Sequence, residues 1–202
     1  MENPADPVST KPRIALYGGA FDPVHRAHLA VARAALRQAA LAKVVFIPAA
    51  HSPLKSHGPV ASDGDRLKML ELALGGEAGF VIDESELRRG GLSYTVDTVR
   101  NYQEHAPEAE LFWIIGGDQL SQLDRWRAID ELVRRVTFLV LARPGYALEA
   151  PELPGLSWRP IDAALMKESS SLVRERLSQG SSVAGLLSPA VEAFIREKGL
   201  YS

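Results

Sequence analysis

At 202 residues, 46% of them hydrophobic, the chain is long enough to bury one substantial core with a small appended portion, and two independent domains are not required. Its 23 basic and 25 acidic residues leave a formal charge of -2, so no global field draws it to nucleic acid or to an anionic membrane, and anions must be met by local groups. The absence of cysteine excludes a disulfide framework, a thiolate nucleophile and a cysteine-ligated zinc, and fits a reducing compartment.

The first segment, residues 1–12, has three prolines, two acids and no apolar core, and reads as a flexible tail rather than a signal peptide or anchor. Branched apolar residues then predict a first strand over 13–18. Leu29, Ala32, Leu36 and Ala39 recur at helical spacing within 25–40, giving an alanine-rich face suited to close packing on a sheet. A second strand is expected over 43–48, cut by Pro48, which completes a βαβ unit. Residues 49–62 hold Pro53, Gly58 and Pro59 and are too irregular for an element and long for an idle connection; they read as a substrate-facing loop.

Leu67, Leu70 and Leu74 predict a helix over 63–74 that Gly75 and Gly76 stop. Short strands are expected at 80–82 and 111–115, with a helix over 95–105 between them that turns Val96 and Val99 inward and Asp97 and Arg100 outward. A short helix at 119–123 and another beginning near Trp126 precede 136–141, the strongest β run in the chain. Arg143-Pro144-Gly145 closes that run in a turn, 147–157 reads as loop, and 158–161 as a sixth strand. Helices over 169–177 and 189–198 finish the pattern. The alternation predicts an α/β fold, a parallel sheet covered on both faces, and the apolar runs stay below the roughly 18 residues that a membrane helix needs.

The segment carrying chemistry is Gly18-Gly19-Ala20-Phe21-Asp22-Pro23-Val24-His25-Arg26-Ala27-His28, which joins the first strand to the first helix. Such a junction is a phosphate site, because helix-start amides are free to meet anionic oxygens. Gly18 and Gly19 give a polyphosphate close access to the backbone, and His25 and His28 can donate to charge developing on phosphorus-bound oxygens without any covalent nucleophile. That is the chemistry of nucleotidyl transfer. Asp22 either shapes the turn or caps the following helix. The segment is neither a Walker phosphate loop nor a complete dinucleotide fingerprint.

The block GGAFDPVHRAH resembles the GG-x-FDP-x-H-x-GH signature of the HxGH nucleotidyltransferase family, which includes bacterial nicotinate-nucleotide adenylyltransferase. Ala27 stands where that signature has glycine. The resemblance implies a Rossmann-like doubly wound parallel sheet over 13–202 with a small C-terminal helical portion from 165. It also implies that His25 and His28 are catalytic and, with the backbone of Gly18, Gly19, Ala20 and Phe21, bind ATP. Ser169-Ser170-Ser171-Leu172-Val173-Arg174 resembles the second signature, I-S-x-T-x-I-R, so Ser169, Ser171 and Arg174 are expected on the ATP phosphates, with Glu168 replacing an apolar residue. Ile114-Ile115-Gly116-Gly117-Asp118 resembles the strand end that holds nucleotide ribose, which puts Gly116 and Asp118 in the ATP site; Asp118 could otherwise cap the next helix.

Three more pieces bear on the acceptor. Ser93-Tyr94-Thr95 resembles the S-Y-T loop whose backbone donors receive a pyridine carboxylate, so Tyr94 and Thr95 are expected to bind the acceptor. Trp126 corresponds to an aromatic near the pyridine ring, although a lone tryptophan also serves packing. Lys55 matches the basic residue of a P-P-H-K loop in which Leu54 replaces histidine.

The reaction implied is attack of the phosphate of nicotinate mononucleotide on the α-phosphorus of ATP, giving nicotinate adenine dinucleotide and pyrophosphate. Mg2+ would be held mainly by nucleotide oxygens and water, with no protein metal site. Nicotinamide mononucleotide is the nearest alternative acceptor; a catalytically impaired nucleotide-binding regulator, suggested by Ala27, Leu54 and Glu168, is the alternative from another class. A cytoplasmic location, no nucleic-acid or membrane partner, and either a monomer or a homo-oligomer complete the expectations.

Overall fold

The computed structural model describes residues 11–53, 57–142, 148–163 and 169–202. Strands β1 (Arg13–Gly19), β2 (Lys43–Pro48), β3 (Phe80–Ile82), β4 (Glu110–Gly116), β5 (Thr137–Leu141) and β6 (Trp158–Ile161) form one sheet in the order β3-β2-β1-β4-β5-β6. Every pairing is parallel, with Ile14 opposite Lys43 on one side of β1 and Leu111 on the other. The fold is therefore a Rossmann-like doubly wound α/β sheet, and the strand order reverses between β1 and β4, where the crevice of such folds opens.

Alternation along the strands splits the core in two. Ala15, Phe46, Phe112 and Leu139 face one side, with α1 (Arg26–Gln38), α2 (Asp63–Leu74), α7 (Ser170–Ser178) and α8 (Pro189–Lys198). Leu16, Val45, Trp113 and Phe138 face the other, where α4 (Thr95–His105), α5 (Gly117–Leu120) and α6 (Ile129–Leu132) lie. Val96 and Val99 of α4 are buried, as their spacing requires.

Local chemistry sets the helix ends. Ser62, Ser169 and Ser188 each accept a backbone N–H at the start of α2, α7 and α8, and Pro189 opens α8. Gly199 closes α8 in the left-handed region at φ 61°.

Four elements differ from the sequence expectation. A five-residue helix, α3 (Ser85–Arg89), occupies what had no helical pattern, being too short to show a period. The expected 119–123 helix is α5, beginning two residues earlier, followed by a 3-10 turn over Leu123–Arg125. Trp126 ends that turn in extended backbone and does not start a helix; α6 begins at Ile129, after Ala128 in left-handed conformation. In α2 the inward face is Arg66, Met69, Leu70 and Leu74, so an arginine lies on the face expected to be led by Leu67. Lys55, the Arg143-Pro144-Gly145 turn, Glu168 and residues 1–10 of the expected tail lie outside the described residues.

Candidate active site

The C-terminal ends of β1 and β4 open into two adjoining spaces. A larger cleft of about 1060 Å³ is lined by Ala20, Phe21, His25, His28, Gly116 and Asp118 from the sheet edge and by Ser169, Ser171 and Arg174 from the start of α7. A smaller cavity of about 420 Å³ is lined by Gly18, Tyr94, Thr95, Trp113, Trp126 and Arg127. Gly19, Ala20, Ala49, Ser52 and Gln119 belong to both walls, so the two are chambers of one crevice. The residues read as one nucleotide site and as the acceptor site thus fall largely into separate chambers; Gly18 lies on the wall of the smaller.

The two glycines of β1 have a packing role that the sequence does not reveal. A Cβ on Gly18 would stand 2.8 Å from the Trp113 ring, and one on Gly19 would stand 3.0 Å from the Phe21 ring. A larger residue at Gly18 would force the Trp113 ring to move, and one at Gly19 would press on the Phe21 ring. Phe21 has its side chain buried and its backbone at φ 47°, a left-handed state that costs an L-residue about 1 kcal/mol or more. The fully buried Arg66 braces the preceding turn, donating from Nη1 to the Ala20 carbonyl at 2.8 Å and from Nη2 to Asp63 at 2.6 Å. Its helical spacing with Met69 and Leu70 is the signal that could have found it.

His25 is the N-cap residue of α1 and is buried at 6% exposure, which pushes its pKa down to about 4. The ring is neutral near pH 7. His28 stacks on it with ring centroids 3.7 Å apart and meets the Phe21 ring edge-on at 5.0 Å and the Tyr17 ring edge-on at 6.1 Å. The backbone N–H of His25 donates to His28 Nδ1 at 3.2 Å, which in a neutral ring leaves the proton on Nε2. Packing and one backbone bond therefore fix both the plane and the tautomer of His28.

Asp22 caps no helix. Its carboxylate, 3% exposed, accepts from the amides of Val60 at 2.7 Å and Ala61 at 3.1 Å and from the Tyr201 hydroxyl at 2.7 Å. Arg174 donates to the Asp22 carbonyl at 2.6 Å, lies 3.8 Å from its carboxylate, and donates to the Ser171 hydroxyl at 3.3 Å. Ser169 caps α7 by accepting from Leu172 at 3.1 Å, and Ser170 donates to the Pro23 carbonyl at 2.9 Å. The start of α7 is thereby tied to the loop after β1. Asp118 sits in the first turn of α5 with Gly116 as N-cap; a Cβ on Gly116 would meet its carboxylate at 2.5 Å, so the acid folds back over the strand end.

In the smaller chamber Tyr94 is the N-cap of α4 and Thr95 its first residue. The Arg127 guanidinium lies 4.4 Å from the Tyr94 ring centroid, and neither it nor Arg125 is paired with a carboxylate among the described residues. Trp126 meets Phe138 edge-on at 6.2 Å, and its indole N–H is buried with no hydrogen-bond partner among the described residues. Glu86, from α3, is a further wall residue; neither it nor the two arginines stood out in the sequence. No three His, Asp or Glu side chains converge on a possible metal site among the described residues.

The cytidylyltransferase-like family model matches residues 16–176, which places the chain among the Rossmann-like nucleotidyltransferases. Curated relatives described as "probable nicotinate-nucleotide adenylyltransferase" include one from Opitutus terrae, 41% identical over 94% of this chain and 97% of the relative, and one from Shouchella clausii, 42% identical over 94% and 96%. The chain belongs to the nicotinate-nucleotide adenylyltransferase family of HxGH enzymes. The fold is also similar to that of Plasmodium falciparum nicotinic acid mononucleotide adenylyltransferase complexed with NaAD, at a TM-score of 0.76 and 19% identity over 94% of this chain and 97% of that one.

Proposed function

We propose that the protein transfers the adenylyl group of ATP to nicotinate mononucleotide, releasing pyrophosphate and forming nicotinate adenine dinucleotide. The observation that carries this reading is the pair of chambers sharing the Gly19-Ala20 wall, with two oriented imidazoles beside it. Such a division separates a triphosphate from its acceptor and brings both to one point.

In the larger chamber His25 and His28 donate to the α-phosphate oxygens and to the departing pyrophosphate, where charge grows as the bond breaks. Ser169, Ser171 and Arg174 hold the triphosphate, and Asp118 accepts from ribose hydroxyls. The acceptor phosphate is already ionised, so its oxygen attacks the α-phosphorus in line and no strong general base is needed. The scissile bond joins the α-phosphorus to its bridging oxygen, and the electron pair leaves with pyrophosphate. Mg2+, when bound, would be held mainly by nucleotide oxygens and water and would screen their charge; among the described residues no three His, Asp or Glu side chains converge to hold it, and none of the steps assigned to the chain's residues depends on it.

In the smaller chamber the pyridine ring lies by Trp126 with its substituent at the amides around Tyr94 and Thr95. Support for an acid rather than an amide substituent comes from the two arginines flanking Trp126, neither of which is paired with a carboxylate among the described residues, while the unpartnered indole N–H suits an oxygen of either substituent. Lys55 is assigned to the acceptor phosphate by its place in the motif. Pyrophosphate release with ATP and either mononucleotide tests the reading: turnover with the acid exceeds that with the amide. Stronger turnover with the amide reverses the acceptor assignment, and nucleotide binding without pyrophosphate release makes the chain a binder.

A further inference from the structure

The acceptor chamber contains a carboxylate that adenylyl transfer, as derived above, does not use. Glu86 is 3% exposed and lines this cavity from the short helix α3. The Thr98 hydroxyl, on the first turns of α4, donates to its Oε1, and the Ser93 hydroxyl also favours its charged form. Ser93 in turn accepts the amide of Ala50 at 3.0 Å, and its own amide donates to the His51 carbonyl at 2.8 Å. One parallel bridge, His51 to Leu92, continues this contact. The turn before α4 and α4 itself thus reach Glu86 directly through Ser93 and Thr98, and the loop after β2 is tied to it through Ser93.

A carboxylate in this position is expensive. It has no arginine or lysine in ion-pair contact among the described residues, and burial raises its pKa against the pull of its hydroxyl partners. An apolar residue of similar size would fill the space at lower cost, but it would leave the Thr98 hydroxyl without its acceptor and let the Ser93-Tyr94-Thr95 segment turn. The first amides of α4 have no intrahelical acceptor, so the direction in which they point is set by how that segment is held.

We infer that Glu86 is the positioning residue of the acceptor chamber: by holding Ser93 and Thr98 it aims the Tyr94–Thr95 amides at the pyridine substituent of the mononucleotide. This rests on the proposed reaction. Glu86 touches neither the triphosphate chamber nor its histidines, so its effect belongs to the acceptor alone.

The test is steady-state pyrophosphate release by the full chain with ATP and nicotinate mononucleotide varied separately. Glu86→Gln keeps the shape but turns one acceptor oxygen into a donor; KM for the mononucleotide rises about tenfold or more, while KM for ATP stays within about twofold and saturating kcat changes little. Thr98→Val, which removes only the hydroxyl donor, shifts the same constant in the same direction, and the double variant loses less than the product of the two single losses. If Glu86→Gln does not fold, the Thr98→Val split decides. Equal rises in both KM values, or an unchanged KM for the mononucleotide in folded variants, overturn the positioning role. Absence of turnover by the unmodified protein with any pyridine mononucleotide overturns the reaction itself and the inference with it; the two failures are thus told apart in one assay.

Discussion

The larger cleft and the smaller cavity are each lined by a buried carboxylate, but the two acids live in different company. Asp22 accepts from two backbone amides and a phenol and has Arg174 within 3.8 Å, so donors and charge converge on it from three segments of the chain. Glu86 has hydroxyl partners and no ion pair among the described residues. Backbone amides cannot swing away, whereas hydroxyls rotate. The contrast implies a stiff chamber where charge must be met at fixed points during the reaction, and a more compliant one where a ring has only to be seated.

The hardest blow to that contrast is removal of the oriented donor. His28→Ala lowers kcat by about 10²-fold or more, equivalent to roughly 2.7 to 4 kcal/mol, in a chain that still folds. A folded variant with near-normal kcat would show that the rigidity of the larger chamber serves no reacting atom. Next is the acid limb of stability in the free protein. His25 is neutral in both folded and unfolded chains above pH 6.5; below that the unfolded chain takes the proton first, and the folded ring follows only near pH 4. Stability therefore falls as pH drops from 6.5 to 4, by about 3 kcal/mol in full, and His25→Asn flattens this part of the curve in urea titrations. A slope identical in the variant would show that His25 is not kept neutral by burial.

Asp22→Asn sharpens the comparison from the side of the larger chamber. It disturbs the bonds to Val60, Ala61, Tyr201 and Arg174 together, lowers stability by about 2 kcal/mol, and raises KM for ATP more than KM for the acceptor, the mirror of Glu86→Gln. Kinetics in which Asp22→Asn and Glu86→Gln damage the same constant would merge the two chambers into one unit. The smallest effect is expected at the compliant wall. Trp126→Ala weakens use of the mononucleotide by about tenfold, with ATP affinity little changed. Equal damage to both substrates would assign its ring to packing against Phe138.

Much of this arrangement was legible along the chain because its signals are local. The strand pattern and the helices over 63–74, 95–105 and 189–198 fall where apolar spacing, serine caps and glycine stops put them. The GGAFDPVHRAH block also announced its own place, since a glycine pair after a strand and a histidine at a helix start need no distant partner to be recognised. What stayed hidden depends on neighbours far away in sequence. Gly18 and Gly19 read as openings for phosphate, yet their missing side chains make room for Trp113 and Phe21. Arg66 went unread: its helical spacing with Met69 and Leu70 marks the buried face, but nothing nearby announces the Ala20 carbonyl it braces. Glu86 sits in five helical residues, too few for any period, and its meaning comes only from Thr98 and Ser93.

The phenol of Tyr201 reaches Asp22 across 179 positions of the chain. During synthesis the loop after the first strand is among the earliest segments to emerge, but its carboxylate cannot find this donor until the polypeptide has been extended through α8 and beyond. A nascent product lacking those final turns would carry the imidazole pair without the full brace behind it. Assembly of the loop after β1 thus waits on residues beyond α8, and a chain cut before Tyr201 would hold that loop more loosely.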